Sequence, residues 1–344
     1  MAKASIARPQ YRLSELGMHS YLIPVAGLTI ESTWTIGQAR LLTAESAKHL
    51  VEEGRSSGDL HDELTQPFFA QAASTVVQVT ASDGRGAIEL AATAVDVLRV
   101  YQQSSSRMRT TMFGIPGENR KGSVTYARLG ERVGTGTAFM GDHLGFKFPD
   151  DQRREFEASV PFQYAASCVG EANPTKAQWS VQSAVKLTSQ AILDSRPHMQ
   201  YLHAVMAAEA LLLERAPQPQ AYRLARRAAY FTCGIPDEMC GRDRPACVLL
   251  KTAPDGKSLR QLKAQRDLGD RDFRERCSEW HHTLDRYDVR SEIVHDGTTS
   301  IPVHDASQIL FWLTHDLLPA AFTWFATHEV DPIGDLEAEI AALT

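Results

Sequence analysis

The spacing of hydrophobic positions changes character near the middle of the chain. In the first half, apolar residues come in short β-branched or alternating runs. Tyr21–Val25 and Leu28–Ile36 lie within Ser20–Leu42 and are punctuated by Pro24 and Gly27, and Ser74–Thr80 reads STVVQVT and closes at Asp83-Gly84. Such runs predict strands. Between Ala87 and Gln103 the period lengthens, with Ile88, Ala91, Val95, Leu98 and Tyr101 on one helical face. Gly- and Thr-rich short strands are expected from Met112 to Phe148, and Pro149-Asp150-Asp151 opens a further helix. Beyond Val169–Pro174 only the helical period remains. Lys176–Asp194 carries Val181, Val185, Thr188 and Ile192 on one face and is stopped by Pro197. Met199–Arg215 carries Leu202, Val205, Met206, Leu212 and Leu213 and ends at Pro217. Ala221–Phe231 is short, basic and stopped by Gly234. Asp272–His295 sets Phe273, Cys277, Trp280, Leu284, Tyr287, Ser291 and Val294 in alternating steps of four and three, a buried seam. His304–His328 is apolar nearly all round, with a kink expected at Pro319.

A chain of 344 residues is too long for one ordinary core. Two domains follow: an α+β domain over residues 1–170 and an all-α helical bundle over 171–330, with 331–344 as a C-terminal tail. No internal repeat is present. Gly114-Ile115-Pro116-Gly117 lacks the Lys-Ser/Thr of a phosphate-binding loop, and no paired aspartates follow Gly122-Ser123. Met1–Gln10 has no apolar core of a signal peptide, and Leu310–Ala326 is interrupted by Thr314, His315, Asp316 and Pro319, so a cytoplasmic protein without a membrane span is expected. The 5 cysteines are odd in number, which argues against a disulfide framework; Cys233, Cys240 and Cys247 recur every seven residues, which is not zinc-ligand spacing. No metal or cofactor is expected. Net charge is −6, yet Arg215–Arg276 holds 14 Lys/Arg against 8 Asp/Glu, a local +6 that leaves −12 for the remainder. Such a segment suits phosphate, with Arg223, Arg226 and Arg227 the named candidates; it equally suits solvated helix faces.

Arg290 and His295 carry the chemistry. Arg-to-His spacings of this kind also occur at Arg12/His19, Arg55/His61, Arg196/His203 and Arg276 with His281 or His282, so spacing alone means nothing. The setting differs. The pair ends the longest amphipathic helix, and Gly297 is a natural stop. Five residues place the two side chains about 140° apart, flanking the seam. A histidine titrates near neutral pH and moves protons, whereas an arginine stays charged and forks onto phosphate oxygens. The alternative is structural: His295 capping a helix C-terminus and Arg290 paired with an acid. Glu209 lies in an apolar stripe with Val205, Leu202 and Leu213, and a buried carboxylate needs a partner, either Arg290 or one of Arg226 and Arg227. His281-His282 are adjacent and do not share a face.

Tyr287-x-x-Arg290-Ser291-x-Ile293-Val294-His295-x-Gly297 resembles the signature of the HEPN superfamily, in particular its Apea-like branch. Ala208–Leu213 and the basic helix with Arg226 and Arg227 resemble the preceding helices of that branch, so the likeness covers about 150 residues in order. It implies a homodimer whose Arg–His helices meet in one composite site: a metal-independent RNA endonuclease, of the kind found in prokaryotic antiviral-defence and toxin systems, with RNA as partner and Glu209 and Ser291 in support. The first domain would then sense a trigger or take a regulatory partner. Many active members carry Asn, Asp or His after the arginine, where this chain has Ser291. That departure keeps open a second expectation, a non-catalytic HEPN module for dimerisation or for RNA or nucleotide binding.

Overall fold

The computed structural model describes residues 17–56, 75–105, 113–115, 127–129, 146–213, 220–232 and 278–342. The chain forms two compact units, Met1–Val95 with Met112–Asp150 and Asp96–Thr111 with Asp151–Thr344. The first unit mixes strands and helix; the second, in its described residues, is helical. The division at Asp150 assigns the two helices before residue 170 to the helical unit.

In the first unit, β1 (His19–Val25), β2 (Leu28–Ile30), β3 (Trp34–Ile36) and β4 (Ala39–Thr43) follow in quick succession, then α1 (Ala44–Ser56) and β5 (Thr75–Ala81). α2 (Gly84–Ser105), β6 (Ala127–Leu129) and β7 (Phe146–Phe148) come next. An antiparallel sheet runs in the order β3-β4-β5-β1-β6, and β2 pairs with β7 in parallel. β1 is sandwiched between β5 and β6 only over Ser20–Leu22, where β6 pairs. Pro24 lies past that stretch, where among the described residues no strand pairs on the β6 side, so its missing N–H is tolerated. The run expected over Leu28–Ile36 is two strands, split at residues 31–33 by polar Glu31, Ser32 and Thr33. Leu22, Ile23, Val25, Leu41, Val76 and Val77 are buried in the sheet's core. Asp83 opens α2, its carboxylate accepting from Gly86 N–H at 2.8 Å.

The helical unit takes in the second half of α2 from Asp96. It continues with α3 (Asp150–Ala158, from Asp151 on), α4 (Val160–Ser167), α5 (Lys176–Leu193), α6 (Pro197–Leu212) and α7 (Gln220–Thr232). Beyond these lie α8 (Ser278–His295), α9 (Val303–Phe311), a π-helical segment (Trp312–Leu317), α10 (Leu318–Thr327) and α11 (Pro332–Ala342). α5 opens with a capping box between Thr175 and Gln178. α5 and α6 form a tight hairpin, and α8 packs against α7 and α6. Asp96, Arg99 and Ser189 form a buried cluster between α2 and α5, with Ser189 Oγ donating to Asp96 Oδ1 at 2.5 Å. The irregularity expected at Pro319 takes the form of the π segment just before it. Proline offers no N–H to the preceding turn, and the Leu318 N–H bonds to Leu313 O in the wider register. By length and composition Val303–Thr327 could cross a membrane, and more than half of its most apolar stretch is buried in this unit.

Two expectations need correction. Residues 331–344 are not a trailing tail, because Pro332–Ala342 is a helix. Asp331 accepts from Gly334 N–H at 3.1 Å, Pro332 fits the first turn, and Ile333, Leu336 and Ile340 at i, i+3 and i+7 are buried. The seam of α8 is also rotated by one residue near its end. Ile293 is 8% exposed, whereas Val294 is 47% exposed.

Candidate functional site

The site is built on the last turn of α6 and the last two turns of α8. α6 stops at Leu212, leaving Glu209 one turn from its end; Leu213 N–H still reaches Glu209 O at 2.8 Å. α8 ends at His295, and Gly297 turns the chain out with φ +67. Thr298 N–H bonds back to Glu292 O at 3.4 Å.

Arg290 lies on the packed side of α8, with Ile293, and faces Glu209. Its Nη2 donates to Glu209 Oε2 at 3.4 Å, and its Nε stands 3.3 Å from Oε1 without the alignment of a hydrogen bond. Both contacts are longer than the roughly 2.7–2.9 Å of a well-made charge-assisted bond. The guanidinium also lies 5.5 Å from the centre of the Tyr287 ring. Of the two partners weighed for Glu209, the structure supplies Arg290. Burial pushes the Glu209 carboxyl above its ordinary value, and the positive charge of Arg290 offsets only part of that. Burial likewise raises the Tyr287 phenol, helped by the nearby Glu209 carboxylate. Tyr287 donates to Gln220 Oε1 at 3.4 Å, joining α7 to the cluster.

Arg286, one turn before Arg290, stacks over Trp312 at 4.1 Å. Its signal in the sequence is the four-residue spacing to Arg290, which sets two arginines on one helix face. Ser291 donates to Tyr287 O within its own helix, at 3.1 Å, so its hydroxyl is used locally. His295 is exposed at the helix end. Arg290 therefore points into the bundle and His295 out to solvent, and within one copy of the chain the two side chains diverge.

The basic candidates separate. Arg226 and Arg227 are buried and share Glu337 of α11, at 3.0 and 2.6 Å, so neither lies on an exposed face of the helix. They are therefore not the exposed basic surface expected: the period of α7 turns both inward, and an acid the sequence placed in a tail neutralises part of their charge. Arg223 is half-exposed on the same helix. Residues 233–277, which hold most of the basic segment and Cys233, Cys240 and Cys247, lie outside the described residues, as does Arg215. Among the described residues no three His, Cys, Asp or Glu side chains gather in a metal-binding group.

No protein family, no curated protein and no solved structure matches the chain.

Proposed function

We propose that the helical unit is a HEPN-type domain and that the protein is a metal-independent RNA endonuclease working as a homodimer. The observation that carries this reading is the loose Arg290–Glu209 pair one turn before the exposed His295. Glu209 keeps a permanent cation aimed near the α6–α8 junction. The long contacts leave that cation able to exchange its carboxylate for a phosphate. His295, exposed at the end of α8, is the group assigned to donate or accept the proton. One copy is chemically incomplete, since cleavage needs a base and an acid together.

In the dimer, one His295 takes the proton of the RNA 2′-hydroxyl. The 2′-oxygen then bonds to phosphorus, and the bond to the 5′-oxygen breaks. The second His295 protonates the leaving 5′-oxygen, and Arg290 stabilises the charge on the phosphorane oxygens. The products are a 2′,3′-cyclic phosphate and a 5′-hydroxyl. The cellular role that fits is a cytoplasmic antiviral-defence or toxin-like effector of a prokaryote, with the α+β unit as sensor or docking site for a regulatory partner.

The test is incubation of the full chain with total RNA in EDTA, followed by end-group analysis. Arg290→Ala and His295→Ala should each lower the rate by about 10²-fold or more. DNA should remain intact, because it lacks the attacking group. Magnesium dependence with 5′-phosphate ends would exclude this chemistry.

A non-catalytic HEPN module for dimerisation or for RNA or nucleotide binding is the second reading. Ser291 favours it, because its hydroxyl is spent on Tyr287 O. In that case the chain binds RNA and leaves it uncut, and Arg290→Ala weakens that binding.

A further inference from the structure

α7 and α11 meet through an uneven charge arrangement. Arg226 Nη1 donates to Glu337 Oε2 at 3.0 Å, and Arg227 Nε donates to Glu337 Oε1 at 2.6 Å. Arg227 Nη1 also donates to Leu212 O, and Tyr230 donates to Glu339 of the same short helix. Arg227 is 1% exposed and Arg226 8% exposed, while the Glu337 side chain keeps 32% of its surface. Two buried guanidiniums therefore close on a single carboxylate that water still reaches. Among the described residues Glu337 is the only acid paired with the two guanidiniums, and Arg226 Nε is buried with no hydrogen-bond acceptor. Burying an uncompensated charge is expensive, so a partner with more negative charge and more acceptor oxygens would suit the pair better. A phosphomonoester supplies nearly two charges and three terminal oxygens in the geometry that guanidinium forks match.

We propose that Arg226 and Arg227 form an anion site shaped for a phosphomonoester, and that Glu337 of the C-terminal helix is its internal occupant. A phosphate-bearing ligand and α11 then compete for the same two arginines. A phosphodiester, with one charge per phosphate, would gain less over the carboxylate. The helix is suited to being exchanged. Its remaining hold is the Tyr230–Glu339 hydrogen bond, the short stripe Ile333, Leu336 and Ile340, and the bond from the Trp324 indole to Pro332 O at 2.8 Å. The proposal is independent of the nuclease reading, since it uses neither Arg290 nor His295.

The experiment is hydrogen–deuterium exchange on the full chain, titrated with inorganic phosphate against chloride at equal ionic strength. Phosphate, and not chloride, should speed amide exchange across Pro332–Ala342. Glu337→Gln, which keeps the side-chain shape and removes its charge, should bind phosphate at least ~10-fold more tightly than wild type. Arg226→Lys should lose that gain. A nucleoside monophosphate should act as phosphate does, and its parent nucleoside should not. The proposal is overturned if exchange in α11 ignores phosphate, if the bare nucleoside is equally effective, or if Glu337→Gln binds no more tightly. The wild-type titration decides the question even if a variant fails to fold.

Discussion

Glu209 sits in an environment at odds with its charge. Burial raises its carboxyl above the ordinary 4.5, with Arg290 opposing that shift through charge and hydrogen bonding. The folded chain therefore holds this proton more tightly than the unfolded chain does. The stabilisation is fully present below pH 4.5 and declines as pH rises through the elevated folded value. Urea unfolding between pH 4 and pH 7 should show wild type losing stability relative to Glu209→Gln over that window, whose lower edge is the ordinary value of 4.5. Parallel stability curves would mean the carboxyl is ionised as readily in the fold as out of it. Glu209→Ala has a different consequence, since Gln still offers Arg290 an amide oxygen to accept its hydrogen bond and Ala offers none. Under the nuclease reading, this should lower kcat more than it raises KM, because the guanidinium loses its aim while keeping its charge. Equal effects of the Gln and Ala variants on kcat would remove the positioning role.

At the level of elements, the helix ends carry separable contributions. Thr175→Ala removes one half of the capping box on α5 and should destabilise the chain by about 1 kcal/mol in urea unfolding. Gly297 sits at φ +67 with open space around the place a Cβ would occupy, so Gly297→Ala suffers only backbone strain, about 1–2 kcal/mol. Gly297→Asn should suffer less, because asparagine tolerates that region; equal losses for Ala and Asn would point to a contact and not to the backbone. The elements also explain what was readable in the sequence. The helices from Lys176 to Leu212 were legible in extent from their apolar period and Pro197, and α5 buries Val181, Val185 and Thr188 as expected. The face of α6 was not, since it buries Tyr201, Ala204, Ala207 and Ala208 beside Val205 and Leu212 and leaves Leu202, Met206 and Leu213 half-buried. The face of α8 was legible only in part. Its packed side carries Arg286 and Arg290, which hydropathy assigns to solvent and which are accommodated by the Trp312 ring and Glu209. Tyr287, Ser291 and Val294 looked like the better stripe, one residue out of phase. α11 went unread because its three buried positions are diluted by Asp335, Glu337 and Glu339, and Glu337 is acidic for a reason located more than a hundred residues away on α7. The Arg290–Glu209 contact was legible as one of two pairings, since a carboxylate in an apolar stripe demands a cation. Sequence could not choose between the cations, because the choice depends on how α7 is rotated.

At the scale of the whole molecule, assembly is the first prediction. Val294, Val303 and Phe311 are exposed apolar residues on the two helices that flank the loop after His295. Under the nuclease reading they form part of the face on which two copies meet. Light scattering at micromolar concentration should give a dimer. Phe311→Glu should give a folded monomer without cleavage activity, and a monomeric wild type would remove the composite site. The path of the chain has a further consequence, for synthesis and for dissection. Residues reach the two units in four instalments, alternating between them: Met1–Val95, Asp96–Thr111, Met112–Asp150 and Asp151–Thr344. On the ribosome, the α+β unit cannot close until its last instalment has emerged, by which time Asp96 and Arg99 are already waiting for Ser189, still to be translated. The same weave means no single cut yields the helical unit whole. A fragment beginning at Asp151 would leave an empty slot where the fully buried Arg99 belongs and a serine stripped of its carboxylate. Any attempt to harvest the helical unit should therefore carry the second half of α2 with it, as a fused segment or as a peptide added in trans.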